Sequence, residues 1–340
     1  MLILGIETSC DETSVALVDD ARRIHAQITR SQLDEHRAFG GVVPEIAARA
    51  HLQYLPPMVA QVMQDAGIVW DKIDGIAATI GPGLMGGLLV GATYGRAIAT
   101  AQGMPFYPVN HLEGHALTAR LTDDVPFPYL LLLVSGGHTA LIHVRGVGDY
   151  ETLGQTRDDA AGECFDKCAK LLGLGWPGGP ALEKLAAQAG GEYGFDLPRP
   201  LVGQTHADFS FSGLKTAVRQ IARRDDFTDI MRTDLAAATQ RAIATTLADR
   251  VQQGIKNAGG KFSALVVAGG VAANQSIRAL LQNVAAEQEM AFIAPPMDLC
   301  TDNAAMIAWA AIERTRAGIA YGPDEKPRPR WPLQKLEAGC

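Results

Sequence analysis

At 340 residues the chain is too long for a small module and has the natural size of two ordinary domains. Its 47% hydrophobic and 20% charged content is that of a globular protein, and no apolar run approaches the roughly 18 residues a membrane-spanning helix needs. A net charge of -7 argues against general adhesion to nucleic acid or an anionic membrane, so any RNA contact must use local basic patches or a partner protein.

The first residues are apolar, without a basic stretch or a small-residue cleavage site, and read as a first β-strand rather than a signal peptide. Residues 2–7, 14–18 and 24–29 read as three strands joined by polar turns, a hairpin or meander. Residues 44–64 carry apolar positions at helical spacing, with a break expected at Pro56-Pro57. A strand at 75–80, a Gly-Pro-Gly turn, a small-residue helix over 84–102 and a short strand at 105–109 follow, and Asn110 opens another helix.

The same order then recurs. Residues 129–134 read as a strand, Ser135 to Thr139 as a turn and 140–144 as the return strand. Ser9 matches Ser135 and Thr13 matches Thr139, a self-match at one large offset that indicates duplication. Residues 263–268 form a strand, Gly269-Gly270-Val271 a turn and 272–287 a helix, and a short strand at 290–294 and a final helix from about Asp302 complete the second set. A largely helical insert spans about 158–247. The expected division is a first lobe over 1–125, a second lobe over 126–325 and a tail over 326–340.

Cys10, Cys164, Cys168, Cys300 and Cys340 are scattered and odd in number, and the spacing of Cys164 and Cys168 is neither a redox pair nor a zinc knuckle. They point to a reducing cytoplasm without disulfides.

A hairpin repeated in two halves resembles the phosphate-gripping device of the actin, sugar kinase and heat-shock ATPase (ASKHA) superfamily, which implies an α/β fold of two lobes with a central cleft. Further motifs run in the order of one family. They are Gly5-Ile6-Glu7-Thr8-Ser9-Cys10-Asp11-Glu12-Thr13, His111-Leu112-Glu113-Gly114-His115, Val134-Ser135-Gly136-Gly137-His138-Thr139, Phe211-Ser212-Gly213-Leu214-Lys215-Thr216 and Gly269-Gly270-Val271-Ala272-Ala273-Asn274. Over essentially the whole chain the sequence closely resembles the TsaD (YgjD, Gcp) family of tRNA N6-adenosine threonylcarbamoyltransferases, and Arg328-Pro329-Arg330-Trp331-Pro332 favours its bacterial form. The resemblance implies transfer of a threonylcarbamoyl group from threonylcarbamoyl-AMP to N6 of adenosine 37 in ANN-decoding tRNAs.

His111 and His115 stand four residues apart, on one helical face, as a shared metal requires. Asp302 falls at nearly the corresponding place in the second half, and two halves facing across a cleft would bring it to the histidines. With the resemblance, these three become the expected metal ligands. A zincin needs a glutamate directly after the first histidine, but Leu112 stands there and Glu113 is turned away, so a metalloprotease is disfavoured. Two histidines and a carboxylate suit iron, zinc or manganese; the family association favours one Fe(2+), with Zn(2+) as the alternative.

The turn from Val134 through Ser135, Gly136, Gly137 and His138 offers backbone N–H groups to phosphate or carboxylate oxygens, or is an ordinary hairpin turn. Asp11 and Glu12 occupy the matching turn, either as a solvated turn or as groups that bind a metal or orient a water or amine. Asp166 suits a ribose hydroxyl or the first turn of a helix. Asn274 suits an adenine or phosphate contact or a helix N-cap. The resemblance implies that Asp166, Gly179, Glu183 and Asn274 touch the threonylcarbamoyl-adenylate or an ATP or ADP in the cleft. Lys215, Arg219 and Arg223 make a basic helical stripe, and Lys326, Arg328 and Arg330 decorate the tail; both are solvated charge or contacts to tRNA phosphates.

The resemblance further implies two partners, the paralogue TsaB, with the helix at 44–64 as its candidate contact, and the ATPase TsaE. Two other functions fit the fold-level reading, an actin-like ATPase or sugar kinase and a non-catalytic nucleotide-binding scaffold. The first would show phosphoryl transfer to a small substrate, and the second would leave tRNA unmodified.

Overall fold

Leu2–Glu7 (β1), Glu12–Asp19 (β2) and Ile24–Ser31 (β3) form an antiparallel meander. Gly75–Gly81 (β4) and Phe106–Asn110 (β5) add in parallel, giving a five-stranded sheet in the order β3-β2-β1-β4-β5. β1 is central, so it is buried on both faces and reads as a nearly continuous apolar run. The computed structural model describes residues 1–39, 41–322 and 325–335.

Within the same stretch of chain lie the helices Leu33–Arg37 (α1), Pro44–Ala66 (α2), Met85–Gln102 (α3) and His111–Thr122 (α4). α2 opens with proline in its first turn and stops at Gly67, whose φ of 64° is the left-handed cap glycine favours. The break expected at Pro56-Pro57 is absent, and α2 runs unbroken through both. Both prolines are exposed, as are Leu52 and Gln53 one turn earlier, so the carbonyls that lose their N–H partners lie on the solvent side.

The second sheet repeats the first. Tyr129–Val134 (β6) pairs antiparallel with Thr139–Gly146 (β7) and parallel with Ala264–Ala268 (β9); Asp149–Gln155 (β8) and Ala291–Ile293 (β10) take the edges, in the order β10-β9-β6-β7-β8. Read from β8, this is the arrangement of the first sheet. The insert is helical, as Ala161–Leu171 (α5), Gly178–Ala186 (α6), Ser212–Ala222 (α7) and Asp229–Ala258 (α8). α8 continues past the expected end near residue 247 because Val251, Gly254 and Ile255 prolong its buried stripe. Gln275–Glu287 (α9), Met297–Cys300 (α10) and Ala304–Arg316 (α11) follow. Among the described residues no helix is long and apolar enough to cross a membrane.

The chain divides into two units, one of residues 1–124, 146–150 and 298–340, the other of 125–145 and 151–297. This differs from the division read in the sequence, which put 298–325 in the second lobe. α11 is nearly all buried and packs on β1, β2 and α4. The Ala304 N–H donates to Ser14 Oγ at 2.9 Å, and a Cβ on Gly5 would run into the Ala304 carbonyl. The tail continues over the same unit: the Arg328 N–H donates to the Ile80 carbonyl at 2.7 Å, and Trp331 and Leu333 are buried. Residues 336–340 of the expected tail, with Cys340, lie outside the described residues.

Candidate functional site

β5 ends in Asn110, whose side-chain oxygen accepts the N–H groups of Leu112 (2.8 Å) and Glu113 (3.3 Å) and so starts α4 at His111. One turn on, His115 shares its face, and the two rings stand perpendicular with centroids 4.7 Å apart. Asp302 immediately precedes Asn303, the N-cap of α11, and α11 packs against α4. Asp302 Oδ1 thereby lies 3.5 Å from His111 Nε2 and 3.1 Å from His115 Nε2. Two donors each about 2.1 Å from one ion are about 3.0–3.4 Å apart, so these spacings fit a shared divalent metal. Among the described residues this is a His–His–Asp group with its ligand atoms within 4.8 Å of one another. All three donors belong to the first unit. The sequence reading placed Asp302 across from the histidines; α11 instead carries it into their unit.

Glu113 has no part in this face. It is fully buried, accepts from Arg314 Nη1 at 3.1 and 3.3 Å and from Tyr150 Oη at 2.9 Å, and thus ties α4 to α11. Burial holds its carboxyl above the usual range, only partly offset by Arg314. It is not a base beside the metal.

The turn between β1 and β2 carries Asp11 and Glu12. Burial, then the carboxylates of Asp302, Asp11 and Glu7, push the Glu12 carboxyl well above its usual range. Burial and the charge of Asp11 likewise raise the Cys10 thiol, which rules it out as a ready nucleophile. His51 of α2, kept neutral chiefly by burial, braces the turn from below: its Nε2–H donates to the Cys10 carbonyl at 3.0 Å and its Nδ1 accepts from Thr13 Oγ1 at 2.8 Å.

In the second unit, Ser135 Oγ accepts the N–H groups of Gly137 (3.3 Å) and His138 (3.0 Å), so part of the donor capacity expected of this turn is spent within it. A Cβ on Gly136 or Gly137 would meet nothing, so the protein's own packing does not require glycine there. Gly179 is nearly as open, its nearest neighbour being Phe165 Cβ at 4.0 Å. Gly162 and Gly269 are different, since a Cβ on either would strike the backbone of Ser135 or Val134, and Gly269 has a φ of 95°. These approaches bring the start of α5 and the end of β9 against the Ser135 turn.

Asp166 on α5 accepts the Gly178 N–H at 2.8 Å, fixing the Gly178-Gly179 loop; burial raises its carboxyl against the pull of that bond. Glu183 accepts the Gln275 N–H at 2.8 Å, next to Asn274. Asn274 caps α9 through Ile277 N–H (3.1 Å) and donates to Gln240 Oε1 at 2.8 Å. The expected ligand residues of this unit are therefore linked to one another through the protein.

The sequence reading missed Glu7 and Thr79. Thr79 Oγ1 donates to Glu7 Oε2 at 2.5 Å, and His111 Nδ1 lies 3.0 Å from the same oxygen. The available signal was a charged residue closing a strand that is otherwise apolar throughout. Of the basic residues, Lys215 pairs with Asp159 at 3.3 Å and Arg328 with Glu325, while Arg219, Arg223 and Arg330 are exposed.

Residues 23–309 match the family model described as TsaD: tRNA N6-adenosine threonylcarbamoyltransferase. Proteins named tRNA N6-adenosine threonylcarbamoyltransferase are similar across nearly the full length. That of Rhizobium meliloti (strain 1021) is 60% identical, covering 98% of this chain and 95% of its own. That of Brucella canis is 56% identical, covering 99% and 97%. Among solved structures, full-length HypF in its phosphate- and nucleotide-bound form has a TM-score of 0.57 at 12% identity, covering 94% of this chain and 56% of its own. Component A of the (R)-2-hydroxyglutaryl-CoA dehydratase of Acidaminococcus fermentans has a TM-score of 0.54 at 18% identity, covering 93% and 99%. Likeness at this level speaks to the fold alone, an α/β architecture in which a five-stranded sheet occurs twice.

Proposed function

Because the chain belongs to the TsaD family of tRNA N6-adenosine threonylcarbamoyltransferases, we propose that its first unit holds the metal and its second unit the adenylate of the acyl donor. The chain is a metal-dependent acyltransferase acting on tRNA, and its product is N6-threonylcarbamoyladenosine, t6A. The observation that carries the metal assignment is the convergence of His111 Nε2, His115 Nε2 and Asp302 Oδ1. We assign one Fe(2+), with Zn(2+) suited to the same nitrogen and oxygen donors. When bound, such an ion supplies Lewis-acid polarisation of the carbamoyl carbonyl.

The chain's own residues divide the remaining work. The open turn Val134 to His138 and the N-terminus of α9 at Asn274 receive the adenylate phosphate, favoured by the free space at Gly136 and Gly137 and by the helix dipole. Asp166 accepts a ribose hydroxyl, Gly179 lets the sugar or base lie against backbone, and Glu183 holds the α9 end in place. Gly136, Gly137 and Gly179 support this assignment because nothing in the protein fills the space their side chains would take. Asp11 orients the N6 amine of adenosine 37, with Glu12 beside it in the same turn. With Cys10 held as a thiol, the amine attacks the carbamoyl carbon directly. The N6 proton leaves to base and AMP departs with the bonding electrons of the mixed anhydride.

The exposed apolar line of α2, Leu52 above all, is the docking face for the TsaB paralogue, and TsaE is the associated ATPase. Arg219 and Arg223 on α7 and Arg330 in the tail are the cations offered to tRNA phosphates. We place the reaction in the cytoplasm, where tRNA is; the free thiols of Cys10, Cys164, Cys168 and Cys300 suit that compartment. Nucleoside analysis tests the function. Unmodified tRNA incubated with the chain, both partners, ATP, threonine and bicarbonate yields t6A at adenosine 37, and phosphorylated small substrates without t6A would instead favour a kinase.

A further inference from the structure

Glu7 closes β1 with a side chain that has no exposed surface. Its carboxylate gathers three donors from three parts of the first unit: the Ser9 N–H on Oε1 at 2.5 Å, Thr79 Oγ1 of β4 on Oε2 at 2.5 Å, and His111 Nδ1 of α4 on Oε2 at 3.0 Å. A carboxylate ringed by donors only accepts, so the proton on His111 Nδ1 must point at Glu7. That fixes the tautomer of the neutral ring: the proton that His111 gives up is the one on Nε2, whose lone pair then faces Asp302 Oδ1, 3.5 Å away. Ser9 Oγ, 3.1 Å from the same Nδ1, adds a second partner on that side and none on the metal side.

His115 lacks such a support. Its Nε2 lies 3.1 Å from Asp302 Oδ1, but its Nδ1 is buried without a hydrogen-bond partner among the described residues. The two histidines of the triad are therefore inequivalent, and the difference lies in a residue that touches no ligand position itself. We propose that Glu7 is the positioning residue of the metal centre. It orients one imidazole only, that of His111, by holding the proton of its Nδ1, and so puts a second carboxylate behind that ligand. Such an outer carboxylate raises the basicity of its histidine and commonly accounts for 10- to 100-fold in metal affinity, as an order of magnitude. The inference rests on the metal assignment above and adds to it the reason why His111 ligates through Nε2.

The test uses the full chain, stripped of metal and titrated with Co(2+) as the probe, with Zn(2+) competition giving affinities. Glu7→Gln keeps the shape and removes the charge. Its Co(2+) affinity falls about 10- to 100-fold, and the ligand-field absorption of the folded protein shifts. A purely structural role would move the metal-free melting temperature and leave the Co(2+) spectrum of the folded fraction unchanged, which overturns the proposal. His111→Ala runs alongside as the control. If it loses the metal while Glu7→Gln binds like the parent, the role of Glu7 is refuted and the metal site stands. If both bind like the parent, the metal assignment itself is refuted. Should Glu7→Gln fail to fold, Glu7→Asp retains the charge but withdraws it from Nδ1. Lower affinity of the folded protein then supports the proposal, and parental affinity overturns it.

Discussion

His111 shows how far a single side chain is governed by its neighbours. Burial alone would lower its pKa, but the carboxylates of Asp302 and Glu7 and the Glu7 hydrogen bond reverse that and raise it from 6.5 to about 9 in the metal-free protein. A raised histidine pKa means that its contribution to metal-free stability is complete below about 6.5 and is lost as pH climbs through about 9. A ligating metal has to displace the same proton. Apparent metal affinity should then rise about tenfold per pH unit from 7 towards 9 and flatten above, as read by chelator competition; a flat profile over that range would contradict this electrostatic picture. A second residue-scale prediction concerns Gly137. With nothing near a Cβ there, Gly137→Val should change stability by no more than about 0.5 kcal/mol. If the turn receives an adenylate, the same change lowers AMP affinity at least about tenfold by calorimetry, about 1.4 kcal/mol of lost binding. At this scale, the histidine spacing could be read directly because four residues is a property of the helix itself. Glu7 could not, since its partners Thr79 and His111 are remote in sequence and nothing local marks a buried carboxylate as paired.

Elements are held by interactions of a different kind. α4 and α11 are joined by Glu113–Arg314 and by Arg120 Nε on Glu313 Oε2 at 2.5 Å, so the helix bearing both histidines is fixed to the helix that follows Asp302. Removing one partner of the buried pair strands a charge. Arg314→Met should cost about 3–5 kcal/mol in denaturant unfolding, and Glu113→Gln with Arg314→Met should recover most of it. An equal loss in single and double variants would show that packing, not the charge, is responsible. On the outer side of α2, Leu52 is 63% exposed and makes little contribution to the fold. Leu52→Asp should leave the melting temperature nearly unchanged while abolishing co-purification with the TsaB paralogue; undisturbed association would remove α2 as the docking face. The strands and helices were readable from hydrophobic period because each buries one face or both. The break expected at Pro56-Pro57 failed for a reason no period carries, namely that both prolines fall on the solvent side of an otherwise well-anchored helix.

At the scale of the molecule, duplication is the organising fact. Two sheets of identical strand order follow from a hairpin and a strand-turn-helix unit repeated in sequence, and both were visible as Ser9/Ser135 and Thr13/Thr139 and as the glycine turns after β4 and β9. The assignment of α11 was not visible, because chain order puts it after the second set of strands while its buried alanines fit β1 and β2. That one crossing places Asp302 beside the histidines, and the metal chemistry depends on it. The most direct test of the account is t6A yield against bound metal. The chain, freed of metal by chelation and dialysed, is returned to tRNA, threonylcarbamoyl-AMP and its partners with increasing Fe(2+) or Zn(2+), and the tRNA is digested for nucleoside analysis. The account predicts negligible t6A without metal and a yield that saturates at one ion per chain, with His111→Ala inactive at every metal concentration. Full t6A formation by the metal-free chain, or by His111→Ala without bound metal, would contradict it.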